Sequence, residues 1–488
     1  MTPGTPFGQQ LTVRAQAGGD RQALVVVGAG GRETRLSWRE LETRANQWAR
    51  HLASVSAGCG SHVALSIPNS VELVLAALGC WKVGAVPIPM RWDLPYWERT
   101  RLLEVIAPAV VLTEANLAGH AQSAAARSGD PVPAVTAPAM FGICSSGSTG
   151  LPKVILNARP ALWTQDLAQP FMSHWRAVPQ PQTILVPGPM YHTNGFNPLQ
   201  YLLGSDYLIV LEKFEAATVL DVIERFRVSN FTATPTMLAR IADTPGMANR
   251  DLSSIDWILQ GAAVMPPGLL RRWFDLLGAE RIVMAYGMTE NLGLTALRGD
   301  EWLRHPGSVG RGFRDTEIRI ADAGGAALPA GELGEIYLRA PMTGSYRYLG
   351  GAPLLPTTSD GFTSAGDLGH LDADGYLYIA DRRTDMIVTG GANVFPAEVE
   401  SALIEHRDIA DVVVLGLADT RWGRRVHAVV QPSDLAAPPT EDTVIRYARS
   451  RLAGYKVPKT VEFVDEIPRT AATKVNRTAM VREREQRG

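Results

Sequence analysis

The chain is predicted to be α/β: a large N-terminal domain of several subdomains, with two α/β sheets and a small β-barrel-like unit, followed by a smaller α+β C-terminal domain. Three observations carry this. Short β-branched runs alternate with helical hydrophobic patterns as far as residue 287, which suits mainly parallel sheets. After about residue 305 the texture becomes Gly/Pro-rich with short strands, the look of an antiparallel unit. From residue 385 a further compact pattern begins, so the domains are expected to span 1–383 and 384–488.

Taken in order, ALVVV (23–27) is an extended run, and Ser37-Trp-Arg-Glu40 is a capping-box pattern that opens a helix. VALSI (63–67) precedes a second helix, in which Val71, Val74, Leu75 and Leu78 follow i, i+3, i+4, i+7 spacing. AVVL, TILVP, YLIVL, FTATP, WILQG and RIVMAYG continue the strand series. EIRIADAGGAALPAGELGEIYLRA then gives two strands about a turn. The last unit has a helix over 397–405, strands DVVVLGL and VHAVVQ, a helix over 440–452 and strand VEFV.

Composition excludes several classes. Basic and acidic residues nearly balance, 47 against 49, so nothing points to nucleic acid or a charged membrane. The three cysteines, Cys59, Cys80 and Cys144, form no CxxC pair and have no histidine at ligand spacing, which argues against a disulfide framework or zinc site. The N-terminus lacks a basic start and an apolar core, and no apolar run is long enough to span a bilayer. A cytoplasmic setting is expected.

VVVGAGGRE (25–33) resembles the start of a dinucleotide fingerprint, but the third glycine is missing and the helix begins only at Ser37; a glycine-rich hairpin is favoured. ICSSGSTGLPK (143–153) is different. It nearly fits a P-loop, except that Ser148 stands where the phosphate-gripping lysine belongs. Gly147 and Gly150 permit close backbone approach, Ser145, Ser146, Ser148 and Thr149 offer hydroxyls to polyphosphate oxygens, and Lys153 adds a positive charge. A solvated Ser/Gly loop is the competing reading of this run alone.

SSGSTGLPK resembles the signature loop of the adenylate-forming superfamily of acyl-CoA synthetases, aryl-CoA ligases, luciferases and peptide-synthetase adenylation domains. Companion motifs follow in the family's order. Tyr286-Gly287-Met288-Thr289-Glu290 resembles YGxTE, which implies a Tyr286 that stacks on adenine, a Thr289 hydroxyl at the AMP phosphate and a Glu290 that helps to hold Mg²⁺. Asp367, in Ser364-Ala-Gly-Asp367, matches the ribose-binding aspartate, with Ala365 where the family has Thr. Arg382 matches the arginine that contacts ribose and phosphate, Thr384 stands at the hinge position usually held by Asp or Lys, and Lys474 matches the lysine that bridges carboxylate and nucleotide, with Thr473 replacing Gly. The likeness extends over nearly the whole chain, from about Gln22 to Arg477.

The resemblance implies an ATP-, Mg²⁺- and CoA-dependent ligase of the domain-alternation type, in which a carboxylate is converted to acyl-AMP and then to a thioester. Gly261, Ala262, Gly287 and Met288 are implied beside the nucleotide. His192, in Pro189-Met-Tyr-His192-Thr-Asn-Gly195-Phe196, together with Phe196, Gly261, Gly287 and Leu292, is implied around the acyl group. Gly390 and Gly391 would let pantetheine pass, with Tyr455 and Lys456 as further CoA contacts. No aspartate lies between Tyr191 and Gln200 to pair with an amino-acid ammonium, which argues against amino-acid activation, and the implied pocket walls are small or apolar apart from Asn291, so a hydrophobic acid, aliphatic, aromatic or polycyclic, is expected. A carrier-protein phosphopantetheine as acceptor, a luciferase-like oxygenase and a catalytically silent nucleotide-binding homologue are the rival readings.

Overall fold

The structure, a computed structural model, describes residues 4–145, 153–322, 324–341, 343–382, 385–389, 392–419, 421–469 and 475–487. Its centre is a nine-stranded sheet in the order Arg311–Phe313, Leu294–Arg298, Ile282–Gly287, Trp257–Gln260, Asn230–Ala233, Thr183–Val186, Tyr207–Leu211, Gln22–Val27, Glu33–Ser37. The six interior strands from Ile282–Gly287 to Gln22–Val27 are parallel, and the remaining three pair antiparallel at the two edges. Alternation sorts their side chains: Val25, Leu185 and Ile209 enter one core, whereas Leu24, Ile184, Val186 and Leu208 enter the core on the opposite face. VVVGAGGRE is the expected hairpin, closed by the Gly28 N–H donating to the Arg32 carbonyl at 2.8 Å.

Thr183–Val186 pairs on one side with Tyr207–Leu211 and on the other with Asn230–Ala233, so the strand order reverses around it. A crevice at the carboxyl end of such a strand is where open α/β sheets take ligands. The segment that leaves this end is Pro187 to Phe196, with the motif that contains His192. Buried Asn69 holds the segment by donating to the Gly188 and Leu211 carbonyls and accepting from the Met190 N–H, at 2.8–2.9 Å.

A second parallel sheet consists of Val86–Pro89, His62–Ser66 and Val110–Thr113. Ser37 opens helix Trp38–Ser54 with the predicted capping box, and Ser70 caps Val71–Val83. The unit expected to be barrel-like consists of two antiparallel sheets that share one core. One has four strands, in the order Glu317–Ala321, Gly334–Arg339, Thr363–Leu371, Leu377–Arg382; the other orders Tyr346–Leu349, Lys153–Asn157, Phe141–Ser145. The cause is that Tyr346–Leu349 pairs with the distant Lys153–Asn157 instead of its sequence neighbours.

Pairing partners change after Leu377–Arg382. The following strands, Ala392–Val394, Ile387–Thr389, Gly423–Pro432, Ile409–Asp419 and Thr460–Phe463, form their own sheet. Helices Pro396–Leu403 and Glu441–Arg451 contribute Val399, Leu403, Val444 and Ala448 to its core with Ile387, Val412, Val414 and Val430.

Candidate active site

The strand Ile282–Gly287 has buried Ile282, Val283 and Met284, then half-buried Tyr286 and exposed Gly287 at its carboxyl end. A Cβ on Gly287 would lie 2.4 Å from Leu294 Cδ2, so a larger residue here would have to displace the leucine side chain of the adjacent strand. The chain then turns, with the Asn291 N–H donating to the Met288 carbonyl at 3.1 Å, and returns as Leu294–Arg298. From the strand's end the Tyr286 hydroxyl donates to Asp367 Oδ2 at 2.5 Å. Two motifs separated by 81 positions thus meet side chain to side chain.

Asp367 lies on Thr363–Leu371, in register with Arg382 on the adjacent strand; the Arg382 side chain lies outside the described residues. Gly366 adopts φ +72° beside it. Next to Ala365, buried Ser364 accepts from the Gly366 N–H at 3.1 Å and donates to the Glu335 carboxylate.

The other end of the site is built on Lys153–Asn157. Ser145 pairs with Lys153 across the antiparallel ladder, which brings together the two ends of segment 146–152. The Lys153 ammonium lies 4.9 Å from the centroid of the Tyr348 ring, and the Tyr348 hydroxyl donates to Glu290 Oε1 at 2.8 Å. Burial, reinforced by the Glu290 charge, raises the Tyr348 phenol far above its ordinary pKa, so it stays a donor. Glu290 Oε2 has no hydrogen-bond partner among the described residues and offers a hard oxygen, which fits a Mg²⁺ ion shared with substrate phosphates. Thr193 Oγ1 approaches Thr289 Oγ1 at 3.5 Å, which links this turn to the histidine motif.

Around the expected acyl pocket, half-buried His192 packs its ring 4.6 Å from Tyr191, whose hydroxyl is pushed up to about 12 by burial. The turn after Trp257–Gln260 is tied by Gln260 Nε2 donating to the Ala263 carbonyl at 2.6 Å, and Ala262 takes φ +73°. A Cβ on Gly261 would stand 3.8 Å from Asn194 Nδ2 and from the Ala285 carbonyl, so this turn borders both the histidine motif and the strand of Tyr286.

Two expected wall residues are placed otherwise. Phe196 is 1% exposed, edge-on to Phe141 and Trp81, and Leu292 is 0% exposed among Ile155, Ile320 and Tyr348. Both are buried in apolar clusters and present no surface. The Lys456 ammonium lies 2.5 Å from Glu398 and forms an ion pair with it. Tyr455 is exposed, and nearby chain adds exposed Trp422, with the Lys459 ammonium 5.7 Å from its ring.

Ser146, Gly147, Ser148, Thr149, Thr384, Gly390, Gly391, Thr473 and Lys474 lie outside the described residues, as does the Ser145 side chain. Arg469 and Arg477 flank residues 470–474. Arg469 forms a two-pronged bridge to Asp411 at 2.6 and 2.7 Å, and Arg477 bridges Glu400 at 2.7 Å and Asp385 at 3.1 Å. Motif reading gave no role to Tyr348 or Asn69, nor to Ser364 and Asn194 inside the quoted motifs. Of the two outside the motifs, Tyr348 left a signal, the Tyr346-x-Tyr348 alternation that puts two phenols on one strand face.

A site built from strand ends, a tyrosine–aspartate pair and a lysine–tyrosine–glutamate cluster defines a nucleotide-directed α/β enzyme. The AMP-binding enzyme family model matches residues 11–346, and the model of its C-terminal domain matches 398–474; the chain belongs to this family. A feruloyl-CoA synthase of Amycolatopsis is 32% identical over 91% of this chain and 92% of its own length. The indoleacetate–CoA ligase of Aromatoleum aromaticum is 31% identical at 91% and 92% coverage. Among solved structures, the Bacillus subtilis o-succinylbenzoate CoA synthetase in complex with its acyl-adenylate intermediate superposes with a TM-score of 0.83, at 27% identity and 98% coverage of both chains. No helix among the described residues is long and apolar enough to cross a membrane.

Proposed function

We propose that this chain is an AMP-forming acid–thiol ligase that activates a hydrophobic, aryl-bearing carboxylic acid with ATP and transfers the acyl group to CoA. The observation that carries the reading is the 2.5 Å contact of Tyr286 with Asp367, which assembles a base-stacking ring and a ribose acceptor at one strand end. The aryl class is supported by the feruloyl- and indoleacetate-directed relatives and by the small residues Gly261, Ala262 and Ala263, whose turn borders Asn194 of the histidine motif.

A carboxylate is a poor electrophile because its leaving group would be oxide. Attack on the α-phosphorus of ATP expels pyrophosphate and leaves an acyl-AMP anhydride with a good leaving group. Two anions must meet in line, so the work is positioning and charge compensation. Tyr286 and Asp367 orient the nucleoside, and Arg382 adds a contact from the adjacent strand. Ser145 to Thr149 and Lys153 hold the β- and γ-phosphates, and Lys474 bridges the attacking carboxylate and the nucleotide. Mg²⁺, when bound, neutralises phosphate charge, and Glu290 would hold it. No general base is needed, since the acid is already ionised.

In the second half-reaction the thiolate of CoA attacks the acyl carbonyl and releases AMP. The C-terminal domain, 384–488, turns about Thr384, withdraws Lys474 and brings Gly390 and Gly391 to the pantetheine path; Tyr455, Trp422 and Lys459 receive the nucleotide end of CoA.

The test is pyrophosphate release across aryl, fatty and polycyclic acids, with and without CoA, followed by mass spectrometry. CoA thioesters of aryl acids are the expected products. Acyl-AMP that persists with CoA present would replace CoA by a carrier-protein thiol, and turnover of fatty acids alone would overturn the aryl assignment.

A further inference from the structure

Lys153 and Glu290 carry opposite charges and approach the same phenol, yet among the described residues neither forms a salt bridge. An ion pair between them would cancel the two charges that a metal–polyphosphate complex needs. Tyr348 engages both, the ammonium through its ring and the carboxylate through its hydroxyl. Its register is set on the strand that carries Lys153, where Tyr348 pairs with Ile155 and Leu349 with Val154, so the ring lies beside the lysine by construction of the sheet. The ring is 8% exposed and packed edge-on against Tyr346 at 5.4 Å, and Tyr346 is itself anchored by accepting from the Leu355 N–H at 2.9 Å. The phenol therefore has little freedom to follow either charged group.

We propose that Tyr348 is a positioning residue of the adenylation half-reaction: its hydroxyl holds one oxygen of Glu290 so that the other faces the cation, and its ring seats the Lys153 ammonium apart from that carboxylate. This rests on the reading of Glu290 as the cation's carboxylate and of Lys153 as a phosphate contact. A phenol bonded to one carboxylate oxygen leaves the lone pairs of the second for a hard cation, and an ammonium over a ring face keeps its protons available to phosphate.

The experiment is calorimetric titration of ATP into the full-length protein without acid, so that no turnover occurs, first in EDTA and then with excess Mg²⁺. Wild type, Tyr348→Phe, Tyr348→Leu and Glu290→Gln are compared, with Tyr348→Met as the second aliphatic variant should the leucine variant not fold. Tyr348→Phe keeps the ring and removes the hydroxyl: ATP affinity in EDTA stays within twofold of wild type, while the enhancement by Mg²⁺ falls roughly 5- to 30-fold. The aliphatic variant in addition loses roughly two- to fivefold of its ATP affinity in EDTA. Pyrophosphate release by Tyr348→Phe is restored towards the wild-type rate by raised Mg²⁺, whereas thioester formation from supplied acyl-AMP is unchanged.

A Tyr348→Phe protein that binds Mg²⁺ and ATP like wild type, while Glu290→Gln has lost the Mg²⁺ enhancement, would overturn the role of the hydroxyl and leave the reading of Glu290 intact. Glu290→Gln with full Mg²⁺ enhancement would sink that reading and the proposal with it. An aliphatic variant that matches Tyr348→Phe in EDTA would remove the role of the ring.

Discussion

Replacing Tyr286 by Phe preserves the ring and deletes one hydroxyl, so it isolates the bond to Asp367 Oδ2 at 2.5 Å. That bond fixes the orientation of a half-buried carboxylate before the nucleotide arrives. Freeing a side chain that must be ordered again on binding costs about 0.5–1.5 kcal/mol. ATP affinity should fall by roughly 2- to 12-fold. Asp367→Ala removes the charged acceptor itself; two hydrogen bonds to a carboxylate make the loss about 2–4 kcal/mol, or roughly 30- to 1000-fold. Because the hydroxyl acts through Asp367, the pair must be strongly non-additive: Tyr286→Phe should have almost no effect in the Asp367→Ala background. The assay is ATP titration by calorimetry, with the ATP dependence of pyrophosphate release as the kinetic counterpart. Additive losses in the double variant would refute the reasoning, because the hydroxyl would then touch ATP independently of Asp367.

Lys474→Ala should slow adenylation by roughly 10²- to 10³-fold, about 3–4 kcal/mol, and leave thioester formation from supplied acyl-AMP near wild type in a two-step rate assay. Arg477→Met breaks bridges to Glu400 and Asp385 in which all three side chains are about one-fifth to one-quarter exposed, and should destabilise the C-terminal unit by about 1–3 kcal/mol. Hydrogen exchange of 396–403 reads this as faster opening, while that of Ile282–Gly287 is unchanged. His51 Nε2 lies 2.8 Å from His120 Nδ1; burial, then the charges of His120 and Arg127, lower the His51 pKa, and burial lowers that of His120. Both folded values lie below the unfolded value of about 6.5, so the unfolded chain binds protons first as pH falls. Stability that is full above that value should be lost as pH drops towards 5, and a His51→Leu variant should show a smaller shift in melting midpoint between pH 7.5 and 5.5.

Of the C-terminal departures from the family pattern, Thr473 replaces a glycine and Thr384 a charged residue; the bridges Arg469–Asp411 and Arg477–Glu400 hold the chain on both sides of the lysine segment.

Much of this protein was legible in its sequence because chemistry of that kind is local. Hydroxyls and glycines before Lys153, an aromatic and a carboxylate within YGMTE, and an aspartate after Gly366 are patterns of residue type and spacing over a few positions, and they were enough to give the family. The alternation of strand and helix patterns is equally local, and Ser37-Trp-Arg-Glu40 caps a helix as its spacing requires. What the tertiary structure alone decided are the contacts between distant segments: Tyr286 on Asp367 across 81 positions and Tyr348 on Glu290 across 58. Apolar residues were the least legible, for a physical reason. Phe196 or Leu292 gains the same free energy from leaving water whether it lines a pocket or fills a core, so residue type does not separate the two roles. Charge is ambiguous in the same way: a lysine such as Lys456 is free or paired according to whether a carboxylate 58 positions away, Glu398, is brought within reach, and only packing brings it there.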